Sequence, residues 1–578
     1  MRLSAASPLL LLSLFVAACA SGRSGQPIAE FPTAPRLRDL VAAKRQPARD
    51  RPTFATLETW HVSSVTSDTL GSQGILADTP WDALLAQLAK GTSAMPTQAM
   101  GCVARELAQL ELSGKGAADP AFQRFLLARC GAIEEHLETI TWRPSLSEKV
   151  ADAAAFAQLA PTFRAELSKA LQGGAGQVGL SFVQSDGKAA IVFARGQAML
   201  DLKASSRLVD SNRVLVLEGK IREPADAISG LINEGKYGVR TCTVDPALAL
   251  PAFRVQCQLA ETDEAAWVSL SITPARRLLS KCVLNVLALQ SSDAALTRAW
   301  EGEAPVPVHD TASFAASAME LIHRTRAKAG LRPVVQAERQ SKTVSELVEP
   351  LWLASDESSD EAIEAANEIT LGLMAGWDVQ GGLIEDADFI LDFQGGPPDA
   401  ARWLADTLEH PMGRKVLLAP DADAIALGAH MPEKPQMLAA VAVNYAFHDA
   451  EPSLKARAED LVERLARVRK ARDLGKTTFV TDLPGVEEAV REISTAQTTP
   501  ADAMQTVMER VSEFSGRPVR GMVWETHDLS EIEFPAELLR YGNLVLGAGV
   551  TFYRPAGGAW GQYAVIFVIL DQSGGGNT

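Results

Sequence analysis

The spacing of apolar residues changes twice along this chain of 578 residues, and that change limits the fold more than any other feature. From about residue 80 to 170 the spacing is helical. Trp81, Leu84, Leu85 and Leu88 share one face, Cys102, Val103, Leu107 and Leu110 a second, Phe122, Phe125, Leu126 and Cys130 a third. Pro161 is expected to open a further helix carrying Phe163, Leu167 and Leu171. After Gly173-Gly174 the period shortens to two. The segments 178–183, 189–194, 214–218, 237–244, 253–259 and 266–272 read as strands, with a helix expected over 225–233. From Ser313 the pattern is helical again, with short strands late. So long a chain exceeds one core, and two to four domains are expected. The fold class is multidomain α+β: a helical domain over 56–172, a β-rich α+β domain over 173–295, and α/β layers beyond 311.

The N-terminus has the layout of a secretory signal peptide over 1–18: Arg2, an apolar run to Phe15, then small residues. The run is too short for a bilayer span of roughly 20 residues. Val16-Ala17-Ala18-Cys19 resembles the lipobox of bacterial lipoproteins, which implies acylation of Cys19. Ala20 instead of Asp after the cysteine favours the outer membrane by the same resemblance. Residues 19–55, rich in Ser, Gly, Pro and Arg and lacking apolar periodicity, read as a tether between lipid and body.

The net charge of -16 and pI near 5.1 exclude nucleic acid as an expected partner, because phosphate binding needs a concentrated basic face. Export places the cysteines where disulfides persist. By locality, Cys102–Cys130 and Cys242–Cys257 are the preferred bridges, leaving Cys282 as a buried thiol; other pairings stay open.

The segment Leu321-Ile322-His323-Arg324-Thr325-Arg326-Ala327-Lys328-Ala329-Gly330-Leu331-Arg332-Pro333 resembles the first helix of bacterial CAP-superfamily domains, the family of cysteine-rich secretory, antigen 5 and pathogenesis-related proteins. Arg326, Gly330, Leu331 and Pro333 match, and His323 stands where the family has Asn. Downstream come Trp403, then His410-Pro411-Met412-Gly413-Arg414 leading to Leu417-Leu418-Ala419-Pro420, then Ile425-Ala426-Leu427-Gly428. In order, these resemble the family's W, S-P-x-H-R-x-x-L-L-x-P and G-x-G. Pro411, Arg414 and Gly428 match. Gly413 stands where the family has a cavity histidine. The resemblance covers 311–450 and implies an α/β/α sandwich whose metal-capable cavity has lost a ligand. Arg467 to Leu474, Leu544 to Ala548 and the strand 562–570 echo this pattern, so 453–572 is expected either to repeat it in degenerate form or to be an unrelated α+β domain.

Catalytic motifs are sparse. Gly174-Ala175-Gly176-Gln177-Val178-Gly179 fits G-x-G-x-x-G, but it follows a helix and opens a strand, the reverse of a dinucleotide site. H-E-x-x-H, G-x-S-x-G and C-x-x-C are missing. Asp406 and His410, four apart, share a face if their segment is helical. Trp524-Glu525-Thr526-His527-Asp528 sets an acid beside a histidine, and 356–364 is acidic. No cofactor and no metal are expected. The expected function is an envelope lipoprotein that binds an envelope protein, lipid or glycan without catalysis. The alternatives are an envelope hydrolase with an unrecognised site and a structural envelope protein.

Overall fold

In the computed structural model, residues 59–60, 69–70 and 78–570 are described, except 115–117, 135, 146–150, 173, 186, 198, 204, 292–297, 300–303, 356–358, 377–383, 433–436, 449–453, 496, 517, 527–528, 530–531, 540–541, 554 and 556–561. Cys19, the tether, His527 and Asp528 lie outside the described residues. The fold is mixed α+β and multidomain. Residues 33–447 form one compact body and residues 448–578 belong to another.

Three segments share one topology. The first holds helix α1 (Pro80–Ala89), strand β1 (Ala94–Pro96), helices α2 (Gln98–Ser113) and α3 (Pro120–Arg129), β2 (His136–Trp142), α4 (Asp152–Leu171), β3 (Gly176–Ser185) and β4 (Lys188–Gln197). Its sheet order is β1-β3-β4-β2, with only the β1–β3 pair parallel. The region expected to be a helical domain is therefore rich in helix but not separate from the strands that follow. The boundary expected at 172 cuts this sheet-bearing unit between α4 and β3. The helix read as starting at Pro161 starts nine residues earlier, at Asp152, and runs through the proline. Phe156 in its first half packs on Trp81 with ring centroids 5.0 Å apart.

A β-sandwich follows. One sheet runs β5 (Leu200–Leu202), β6 (Val214–Ile221), β10 (Ala252–Gln258) and β9 (Thr243–Val244); the other runs β8 (Gly238–Thr241), β7 (Ala225–Glu234), β11 (Ala265–Pro274) and β12 (Lys281–Leu289). Leu215, Leu217, Phe253 and Val255 from one sheet interlock with Ile232, Val268, Leu270 and Val283 from the other. The helix expected over 225–233 is strand β7. Its inward stripe is Ile228, Gly230 and Ile232, and the glycine in the middle leaves an apolar spacing of four that mimics a helix. A Cβ at Gly230 would sit 3.0 Å from Cys242, Leu270 and Val255, so the sandwich core leaves little room for a side chain there. The pairs Cys102–Cys130 and Cys242–Cys257 are bridged. Cys282 takes no part in either bridge and is half-buried, not buried as expected.

The second copy of the topology comprises α5 (Thr311–Lys328), β13 (Val335–Gln336), α6 (Glu338–Ser355), α7 (Asp360–Ala375), β14 (Ile384–Gly395), α8 (Ala400–Glu409), α9 (Pro411–Leu417), β15 (Ala424–His430) and β16 (Met437–Phe447). The sheet order is β13-β15-β16-β14, again with the first pair alone parallel. The third, in the other body, comprises α10 (Leu454–Ala471), β17 (Thr477–Phe479), α11 (Val486–Ser494), α12 (Pro500–Ser515), β18 (Val519–Thr526), β19 (Leu544–Tyr553) and β20 (Gln562–Leu570), in the order β17-β19-β20-β18.

Local chemistry repeats with the topology. Arg326 and Arg469 are both fully buried near the end of the first helix. Arg326 donates to the carbonyls of Arg332 (2.9 Å), Leu417 (3.1 Å) and Ala419 (3.0 Å). Arg469 donates to the Thr477 hydroxyl (3.0 Å) and to the carbonyls of Leu538 and Gly542. Each guanidinium thereby fastens the turn after the helix to the loop before the third strand, a role that suits its rigid fork of donors. The helix ends match as well: Gly330 has φ 71° and Asp473 φ 53°. A glycine on the third strand lets the helix that follows the first strand approach in each copy. A Cβ would lie 2.0 Å from Met100 at Gly179, 2.5 Å from Ser345 at Gly428 and 2.8 Å from Val486 at Gly549.

Candidate functional site

The polar residues with most chemical potential gather where the three parts of residues 33–447 meet. Along β11, Ala266, Val268, Leu270 and Ile272 point into the sandwich, which puts Trp267 and Ser269 on the outer face. That face would meet water in an isolated sandwich. Here α3 packs on β12 and β14, while α9 packs on β7, β8 and β11. Charged groups at the seam are paired, as burial demands. Arg402 bonds Asp119, which also caps α3 by accepting from Phe122 N–H at 2.6 Å. Arg124 contacts Asp392 at 3.3 Å, and Asp392 accepts from the Thr407 hydroxyl at 3.0 Å.

His410 sits at the centre of this seam. It ends α8 and caps α9, its Nδ1 accepting from Met412 N–H at 3.3 Å. Its Nε2 lies 3.3 Å from Ser269 Oγ, and Ser269 Oγ donates to Asn285 Oδ1 at 2.5 Å. A backbone N–H only donates, so Nδ1 must be the lone-pair nitrogen and Nε2 carries the proton. The chain of donors is then His410 to Ser269 to Asn285. Burial, with Arg124 adding to it, lowers the His410 pKa to about 4, so the ring is neutral at pH 7. A nucleophilic serine needs the opposite order, with its hydroxyl proton directed to a basic imidazole nitrogen. The pair has the distance of a catalytic dyad and the wiring of a structural relay.

The expected pairing of Asp406 with His410 does not form. Asp406 is buried and faces Arg402, whose Nε is 3.7 Å away, while His410 turns to the β-sandwich. The segment is helical only through Glu409, so the four-residue spacing breaks at the histidine.

At Gly413 a Cβ would lie 1.9 Å from the Thr407 carbonyl oxygen, so no side chain fits where the resembled family places its histidine. Pro411 begins α9. Arg414 is structural: it donates to the carbonyls of Leu408 (2.8 Å), Gly235 (2.9 Å) and Gly238 (3.0 Å), and burial lowers its pKa to about 10. His323, at the family's Asn position, bonds the Val334 carbonyl at 2.7 Å. Glu525 bonds the Tyr553 hydroxyl. Among the described residues no cluster of three His, Cys, Asp or Glu side chains could hold a metal, and no helix is long and apolar enough to cross a membrane.

Beside this seam, a cleft of about 510 Å³ opens between the β7–β8 hairpin and the second α/β unit. Leu231, Tyr237, Leu331 and Leu418 give it apolar walls, and Asp386, Asp388 and Lys415 a polar side. Lys415 and Asp388 pair at 2.8 Å. Burial, and then the neighbouring Asp388, raise the Asp386 pKa. The volume falls in the roughly 300–1,000 Å³ range of small-molecule sites. Leu331 and Lys415 lie in the resembling segments; Ser269, Asn285, Asn233 and Asp392 do not, and no motif marked them.

No family model matches this chain, and no curated protein matches it. Among solved structures it is similar to an extracellular SCP-domain protein from Bacillus anthracis, with 10% identity, 43% of this chain and 86% of that chain covered, and a TM-score of 0.19. It is also similar to a cysteine-rich secretory protein from Staphylococcus aureus, with 12% identity, 41% and 82% covered, and a TM-score of 0.17. At TM-scores this low, neither structure speaks for the activity of this chain.

Proposed function

We propose that this protein is a lipid-anchored component of the bacterial cell envelope that binds a ligand or partner and catalyses no reaction. The observation that carries the second half is the order of hydrogen bonds from Met412 through His410 to Ser269 and Asn285, which leaves the serine without a base among the described residues. The steric closure at Gly413 supports the same reading, as it removes the side chain a CAP-type metal cavity would use. The 510 Å³ cleft supplies a concave surface of suitable size. The anchor rests on the lipobox-like residues before Cys19, and membership of the CAP superfamily on the ordered motifs of residues 311–450. The outer membrane is the favoured site, and an envelope protein, lipid or glycan the class of partner.

Two measurements test this. Metabolic labelling with a palmitate analogue should mark the wild type and not Cys19→Ser, with the label in the outer-membrane fraction. Purified full-length protein should turn over no ester, amide or glycoside above the rate of Ser269→Ala. Turnover abolished by that substitution would install the hydrolase reading instead.

A further inference from the structure

We infer that a second, smaller cavity at the three-way seam is a binding site for one uncharged sugar ring. This deepens the binding reading above and rests on it.

The cavity holds about 190 Å³ and is lined by Asn233 and Asp263 from the sandwich, Trp267 from β11, Phe125 from α3, and Glu409 and Arg414 from the second unit. It is a built site. Arg414 fixes one wall by bonding the carbonyls of Gly235 and Gly238 across the seam. Asp263 fixes another by accepting from Gly235 N–H at 2.8 Å. Asn233 is only 4% exposed, and its Nδ2 donates to the Glu409 carbonyl at 2.8 Å. Its Oδ1 is buried and has no hydrogen-bond partner among the described residues.

The lining then defines the occupant. The Asp263 carboxylate accepts, so the ligand must present donors. Trp267 and Phe125 offer apolar surface, so it must also present a C–H face. Arg414 offsets one of the two nearby carboxylates, which disfavours an anion. At roughly 30 Å³ per water the space equals about six waters, less than a drug-sized ligand takes. A pyranose ring combines hydroxyl donors, one apolar face and that bulk. A small primary ammonium would pair with the carboxylates but fill only a fraction of this volume.

Saturation-transfer NMR on the full-length protein, with methyl glucoside, methyl galactoside and N-acetylglucosamine as probes, tests the site. At least one sugar should show saturable transfer. Trp267→Ala should weaken it at least tenfold. Asp263→Asn, which retains an acceptor for Gly235, should weaken it severalfold in a protein whose thermal melt is unchanged. Ammonium or methylamine should not compete. No saturable transfer to the folded wild type would overturn the inference and mean that water alone fills the cavity. Transfer unaffected by both substitutions, or competition by the amines, would overturn it too. Failure here leaves the non-catalytic reading standing; hydrolysis of a glycoside would sink that reading separately.

Discussion

Ser269 Oγ lies 3.3 Å from His410 Nε2 and stands on the receiving side of that bond. Its own hydroxyl donates to Asn285 Oδ1, across the β11–β12 register that sets Ser269 opposite Asn285. Ser269→Ala should therefore act on stability. It removes the acceptor of His410 Nε2–H and one donor to Asn285 Oδ1, at a cost of about 1–3 kcal/mol. Urea denaturation checks this; an unchanged midpoint would mean the relay is not formed.

The pH dependence of stability follows from two buried groups that shift in opposite directions. His410 falls from 6.5 to about 4 in the folded state, so between those values the unfolded chain holds the extra proton and stability rises with pH. Glu134, whose carboxylate accepts from Ile133 N–H at 2.9 Å, is pushed by burial from 4.5 up to about 7. Between those values the folded chain holds the extra proton, so stability falls as pH rises. Each contribution is on the order of 3 kcal/mol at about 1.4 kcal/mol per unit. The two nearly cancel from about pH 4.5 to 6.5. Denaturation across that window should be nearly flat for these two groups in the wild type. Relative to it, His410→Gln should slope downward and Glu134→Gln upward with rising pH.

Restoring the family's histidine should fail as a gain of function. In Gly413→His the new Cβ meets the Thr407 carbonyl, and overpacking of this kind costs about 1–3 kcal/mol or more. The variant should melt lower and bind zinc no better than the wild type by calorimetry. Stoichiometric zinc binding at unchanged stability would contradict the steric account.

Asp473 occupies the left-handed conformation that Gly330 adopts in the second copy. A residue with a Cβ is disfavoured there by roughly 1–2 kcal/mol, less for Asp than for most. Asp473→Gly should raise the stability of the 448–578 body by up to about 1 kcal/mol, read from denaturant midpoints. Gly330→Ala should lower that of the other body.

What the sequence disclosed depended on how far apart the interacting residues lie. Cys102 with Cys130 and Cys242 with Cys257 are separated by 28 and 15 residues, and locality was enough to pair them. Arg326 and Gly330 belong to one helix end, and their echo at Arg469 and Asp473 was visible as a string. The first copy of the topology was hidden because β1 is three residues long and the early helices dominate the periodicity. Strand β7 was misread because Gly230 interrupts its apolar stripe. Ser269 and His410 are 141 positions apart, and a single serine on the outer face of a strand carries no motif. His410 drew notice for its spacing from Asp406, and the termination of α8 at Glu409 turned it to a different partner.

The most direct test of the account is covalent labelling of the full-length protein with a fluorophosphonate, which reacts with serines activated by a neighbouring base. Because His410 donates to Ser269 and holds Nδ1 against Met412, the account predicts that Ser269 remains unlabelled at pH 7. Labelling at Ser269 that His410→Gln abolishes would contradict it and make this seam an active site.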